Sequence, residues 1–199
     1  MGPRLQASIM LLLLLCTSAL SGCTTGSLNT SGNDTTTEEQ KLLPEWAVGD
    51  WWLYTFETAQ FGEDTARLVV TEIDEGENQY MLGISSEREA QRHAVINHNP
   101  FLGRVIIDDL AVYENGEPQS VFNFPWNNGD TWQFTLLGES WMAETTGSIN
   151  GMAVVKASSS SGHSLEYHFD GSNGFIDYFE WLDQNDELQF RMSLTDTGS

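Results

Sequence analysis

The sequence predicts an all-β domain: a single antiparallel β-meander forming a barrel or curved half-barrel, with two related halves. Three observations carry this. Apolar and polar residues alternate along most of the chain from Leu42 onward, as in half-buried strands with one wet face. Clusters rich in Asn, Asp and Gly separate the alternating runs. A strand-entry phrase, Gly-Asp-x-Trp-x-aromatic, occurs at Gly49–Tyr54 and returns at Gly129–Phe134, eighty residues later.

The chain of 199 residues begins with a leader rather than with this domain. Arg4 supplies a positive start, and Ile9 to Leu15 is an unbroken apolar run that continues less strictly to Leu20. A helix needs about 20 apolar residues to cross a bilayer core of roughly 30 Å, so this run is too short to span and fits a secretory signal over 1–22. It ends in Leu20-Ser21-Gly22-Cys23, an aliphatic residue, two small residues and a cysteine, which matches the lipobox of prokaryotic lipoproteins. Small residues beside the cut give a peptidase access to the backbone next to a lipid-modified thiol. Cys16 falls within the segment to be removed. The mature chain then keeps only Cys23, at its first residue, where lipid acceptance explains it better than a disulfide. The expected address is the extracytoplasmic face of the cell membrane, with the chain lipid-anchored through Cys23. No second apolar stretch is long enough to span.

Residues 23–41 follow as a tether. Thr24 to Gln40 has no aromatic residue and one large aliphatic, Leu28, too little apolar surface to offset the entropy of ordering it. Asn29-Thr30-Ser31 and Asn33-Asp34-Thr35 have the form of glycosylation acceptors, which linkers of this composition also produce by chance.

The acidic β domain occupies 42–199. Trp52, Tyr54 and Phe56 fall on one strand face; Leu68 with Val70, Tyr80 with Leu82 and Ile84, and Leu165 with Tyr167 and Phe169 do the same. The last run sets Leu188, Phe190, Met192 and Leu194 against Gln189, Arg191, Ser193 and Thr195. Turns are expected at Glu75–Asn78, Glu114–Glu117, Asn127–Asp130 and Asp183–Asp186, because Asn, Asp and Gly tolerate positive φ. Nine to eleven strands result. Glu87 to Ile96 reads equally as helix or strand. Each Gly-Asp phrase follows a proline and a tryptophan, Pro44 and Trp46 or Pro125 and Trp126, which suggests half-repeats over 44–123 and 124–195.

These phrases, with the closing Asn173-Gly174-Phe175-Ile176-Asp177-Tyr178 and the strand through Leu194, resemble a loose group of exported prokaryotic lipoproteins. Their domains open with Pro, a few residues and Gly-[Asp/Asn]-x-Trp-x-[Tyr/Phe]. The resemblance spans Pro44 to Leu194 and implies fold and address, not activity.

Charge and chemistry narrow the function. Twenty-nine acidic residues against eight Lys and Arg give a net charge of −21, which repels nucleic-acid phosphates and anionic lipid surfaces. The acids are dispersed, as expected for solubility rather than cation capture. His93 and His98, like His163 and His168, are five apart and face opposite sides of a strand, so no metal is expected. Asp183–Glu187 begins like a calcium loop but has Leu188 where the glycine belongs and Thr195 where the glutamate belongs. Asp170–Gly174 is equally incomplete, and both read better as hairpin turns. Ser158–Ser161 lacks a nucleophile elbow, and Asp108 and Asp109 are expected to alternate faces on a strand. The expectation is therefore not an enzyme, with no catalytic residues and no cofactor.

Trp51 and Trp52 are adjacent, so one should point outward and be exposed or lie in a cavity or groove unless another layer covers it. The same holds for Trp126 and Trp141, with core and a few covered edges as the plainer reading. The first functional expectation is a binding module whose concave face holds an apolar or amphipathic, lipid-like ligand on Trp52, Tyr54, Trp132, Phe134, Phe190 and Met192. An envelope protein acting through protein–protein contacts, with the same residues as plain core, is the alternative. A hydrolase is third. An internal cavity above roughly 300 Å³ separates the first reading from the second.

Overall fold

A computed structural model describes residues 43–86 and 99–199. The leader, Cys23, the tether, the ambiguous segment from Glu87 to Ile96, His93 and His98 lie outside the described residues.

Among those residues the regular structure is all strand. In chain order the strands are β1 (Trp51–Thr58), β2 (Gly62–Asp74), β3 (Gln79–Ser86), β4 (Gly103–Ile106), β5 (Val112–Glu114), β6 (Glu117–Gln119), β7 (Thr131–Leu136), β8 (Glu139–Ile149), β9 (Met152–Ser159), β10 (Ser164–Asp170), β11 (Phe175–Leu182) and β12 (Leu188–Gly198). There are twelve, one more than the upper expectation. The miscount arises at β4, β5 and β6, whose four, three and three residues are too short to show an alternation.

All twelve form one antiparallel sheet in the order β6-β5-β4-β3-β2-β1-β12-β11-β10-β9-β8-β7. The pairing of β1 with β12 joins the start of the meander to its end. That leaves β6 and β7, consecutive in the chain, as the two outer strands. The curl of the sheet brings them close enough for side chains to bridge. Thr135 N–H donates to Gln119 Oε1 at 2.8 Å, and Gly138 N–H donates to Glu114 Oε1 at 2.9 Å. The result is a nearly closed barrel.

The alternation decides what the sheet encloses. In β1 every second residue is buried, Trp52, Tyr54, Phe56 and Thr58, and the same rhythm runs through β2, β8 and β10. Tyr54, Phe56, Tyr167, Phe169, Phe175, Phe179 and Phe190 are 0–1% exposed. Burying an aromatic side chain of this kind is worth roughly 1.5–3 kcal/mol, so these rings dominate the stability of the domain. Tyr54 Oη donates to Ile176 O (2.6 Å) and Tyr167 Oη to Val121 O (2.5 Å), so neither phenol is buried unsatisfied. Burial pushes both phenols well above the ordinary tyrosine range.

Three bulges share a device. Thr71, Thr146 and Thr195 are each the extra residue where the register shifts. Each hydroxyl donates to a carbonyl of the neighbouring strand: Met81 O at 3.0 Å, Val154 O at 3.4 Å and Leu53 O at 2.8 Å. A bulge deepens the local twist, which a curling sheet requires, and the hydroxyl satisfies a group that the broken ladder leaves open.

Candidate functional site

The six residues expected to line a concave binding face divide into three environments. Tyr54, Phe190 and Met192 are 0% exposed and packed among other side chains. Trp132 is half-buried, with Trp126 against it at 6.2 Å between ring centres. Trp52 and Phe134 are buried but border two different surface grooves. One groove, of about 370 Å³, runs along Pro44, Trp46, Trp51, Trp52, Asn173 and Gly198. The other, of about 400 Å³, is bordered by Gln119, Gln133, Phe134, Thr135, Trp141 and Met142.

Much of the filling comes from a segment whose role the sequence did not announce, the connection between β6 and β7. Val121, Phe122 and Trp126 on this connection are buried. Phe122 packs against Phe101, Tyr167, Phe169 and Phe175 at ring-centre distances of 5.3–6.3 Å. Phe124 packs on Trp126 and Phe169, and the Phe124–Pro125 peptide is cis. The signal available was the density of large apolar residues in Val121-Phe122-Asn123-Phe124-Pro125-Trp126, too many for a connection lying wholly on a wet surface. Trp126 and Trp141 are 8% and 1% exposed: Trp126 is covered as part of this connection, whereas Trp141 points inward from β8, donates from Nε1 to Leu136 O at 2.8 Å and borders the second groove. Trp51 does face outward. It is half-buried on Gly198, with the Arg67 guanidinium 4.1 Å from its ring centre.

The two Gly-Asp phrases form turns with matching hydrogen bonds. Gly49 N–H donates to Val70 O, Asp50 N–H to Ala47 O and Val70 N–H to Asp50 O, at 2.9–3.1 Å. Gly129 N–H donates to Thr145 O, Asp130 N–H to Asn127 O and Thr145 N–H to Asp130 O, at 2.7–3.1 Å. The glycines stand at φ 101° and 87°, a region that side chains rarely enter. The tryptophans beside them differ. Trp46 Nε1 donates to Gly174 O at 2.9 Å and Trp52 Nε1 to Asn173 O at 2.8 Å. The indole N–H groups of Trp126 and Trp132 are buried without a hydrogen-bond partner among the described residues.

The paired carboxylates and the histidines have structural roles. Asp183 Oδ1 accepts the backbone N–H groups of Asn185 and Glu187, and these bonds hold its carboxyl below the usual range. Asp170 accepts from the N–H and hydroxyl of Ser172 and from Asn173 Nδ2, so both carboxylates hold turns. Asp108 and Asp109 lie in the turn after β4 rather than on a strand, a correction; they accept from Asn78 Nδ2 and Ala111 N–H. His163 faces Glu139 at 3.4 Å and His168 faces Glu166 at 3.0 Å. Among the described residues no three His, Cys, Asp or Glu are placed to hold a metal ion. On the outer face Arg191 joins Glu180 (2.9 and 2.5 Å) and Glu57 (2.7 Å), tying together β1, β12 and β11. Its hydrogen bonds to the Glu180 carboxylate push the guanidinium further above its already high range.

No family model matches the chain, and no curated protein matches it by sequence. Among solved structures it resembles MucB. The matches are to MucB in complex with MucA(peri) (11% identity, TM-score 0.37), to the Pseudomonas aeruginosa MucA/MucB complex (13%, 0.38) and to MucB alone (10%, 0.38). Each covers 81% of this chain and 52%, 54% or 55% of the other, so the chain spans about half the length of those proteins. At TM-scores below 0.5 the function has to be argued from this chain's own residues.

Proposed function

We propose that the protein is an exported envelope lipoprotein, anchored through Cys23, whose β domain works by contact with another protein on its outer surface. The observation that carries this is the filled interior. Tyr54, Phe190 and Met192, which a concave ligand-binding face would present, are fully buried against neighbouring side chains, and Phe122 occupies the space between the walls. A site for a lipid tail needs an enclosed apolar space of a few hundred Å³. The grooves described above open to the surface instead. The signal segment and the Leu20-Ser21-Gly22-Cys23 lipobox support the anchored address.

Native mass spectrometry of the full-length chain, released gently from detergent, tests the choice between contact and cradle. The expected spectrum contains the lipid bonded to Cys23 and no other adduct. A second, lipid-sized adduct that disappears on Trp52→Ala or Trp132→Ala would overturn the contact reading in favour of a carrier.

A further inference from the structure

We infer that the free edge of β7 docks an extended, basic segment of a partner protein, which pairs with it as an added strand. This deepens the protein-contact reading above and rests on it.

The connection Leu137–Gly138 sets which residues of β7 face away from β8. A two-residue hairpin makes Leu136 and Glu139 a hydrogen-bonded pair, and in an antiparallel ladder such pairs alternate. Thr131, Gln133 and Thr135 therefore direct their N–H and C=O groups away from β8. Gln119 caps Thr135, in agreement with that parity. The N–H groups of Thr131 and Gln133 have no acceptor among the described residues, and both residues are exposed.

The facing edge is different. By the same parity Pro118, at the middle of β6, is the residue turned outward; it has no N–H and is exposed. Proline on an edge is a standard defence against strand addition, as is lysine. β7, Thr-Trp-Gln-Phe-Thr-Leu, has neither proline nor charge. Beside it lies the groove of about 400 Å³, with Met142 48% exposed on its wall, where alternate side chains of an added strand would sit.

Charge selects the occupant. The chain carries −21, and Glu117 and Asp130 flank the edge on either side. Pairing with a second copy would bring two such charges together, whereas a basic segment is attracted.

The test uses the full-length protein in detergent micelles and two synthetic ten-residue peptides, one alternating Val and Lys, the other Val and Glu. Binding is followed by fluorescence anisotropy and amide exchange by NMR. The Lys peptide is expected to bind and to slow exchange at Thr131 and Gln133 about tenfold or more, while the Glu peptide does not bind. Gln133→Pro, which deletes one edge donor, is expected to weaken binding about tenfold. If that variant fails to fold, Gln133→Lys serves, because it repels a basic strand without touching the backbone.

Binding that neither variant changes, or binding without protection at Thr131 and Gln133, would overturn the edge as the site. No binding would do the same, as would protection that appears without peptide and rises with protein concentration, which means a second copy. Photocrosslinkers at Gln133 and at exposed Val48, read in the native envelope, keep the two ideas separable. A defined partner captured from Val48 and not from Gln133 ends this inference and leaves the protein-contact reading standing.

Discussion

Ala47–Asp50 and Asn127–Asp130 build the same backbone turn, yet one launches a strand paired on both sides and the other launches the outer strand of the sheet. β1 lies between β2 and β12, while among the described residues β7 pairs with β8 alone. The tryptophans follow the strands. Trp52 is 3% exposed and its indole N–H ends on Asn173 O, but Trp132 is half-buried and its N–H ends on nothing among the described residues. The turn is set locally, by a glycine at positive φ and an aspartate. The value of the aromatic it launches is set by what the rest of the chain brings opposite it.

The largest expected effect tests that difference directly. Trp52→Ala should cost about 3–5 kcal/mol, the range for truncating a buried aromatic, and should also strand the Asn173 carbonyl. Trp132→Ala should cost less, because that side chain keeps part of its surface in water and its N–H meets no partner among the described residues. Urea unfolding of the two variants reads this as a shift in midpoint. Equal losses would mean that the two positions are energetically equivalent despite their different burial.

A subtler pair isolates the indole nitrogen. Trp46→Phe keeps most of the packing against Trp52, Tyr80 and Phe175 but removes the donor that meets Gly174 O. Trp126→Phe removes a buried donor that has no partner among the described residues. Losing a satisfied donor should cost about 1–2 kcal/mol, whereas losing an unsatisfied one should be near neutral or stabilising. Thermal unfolding of both variants gives the sign. A comparable loss at Trp126 would show that its N–H is satisfied after all.

The same contrast explains how far the sequence could be read. Alternation at Trp52-Leu53-Tyr54-Thr55-Phe56 predicts a half-buried strand, and β1 is one, because inward and outward faces are local properties. The turn residues at Asn115–Gly116, with φ of 53° and 87°, were legible for the same reason. What could not be read is that β1 meets β12 across more than a hundred residues while β7 is left at an edge. Nothing in Gly129-Asp130-Thr131-Trp132 differs locally from Gly49-Asp50-Trp51-Trp52 in a way that encodes this. The candidate site lies in that gap. The five aromatics and the methionine singled out from the sequence are apolar, but whether an apolar face lines a cavity depends on Phe122 and its neighbours filling it.

The smallest expected effect concerns the turn that receives the first tryptophan pair. Asp177 is the extra residue of a bulge just beyond Gly174, where His168 pairs with Tyr178 and Phe169 with Ile176. Burial, then the neighbouring charge of Asp170, pushes its carboxyl above the usual range, with His168 opposing. A raised carboxyl binds its proton more tightly in the folded state than in the unfolded one. Its contribution is thus fully favourable below the ordinary carboxylate pKa, about 4, and is lost as pH rises through the higher folded value. Asp177→Asn should accordingly stabilise the domain at neutral pH, by less than about 1 kcal/mol, with the gain closing in acid. Glu166 runs the other way. Burial raises its carboxyl, but hydrogen bonds from His168 and Lys156 outweigh that and hold it low. Its stabilisation is present above the unfolded pKa and lost as pH falls through the folded one, so Glu166→Gln should destabilise at neutral pH and converge on the parent in acid. Melting temperatures of the parent and both variants from pH 7 downward should therefore fan out at neutral pH with opposite signs and meet in acid. Curves that stay parallel would show that neither carboxylate is linked to folding.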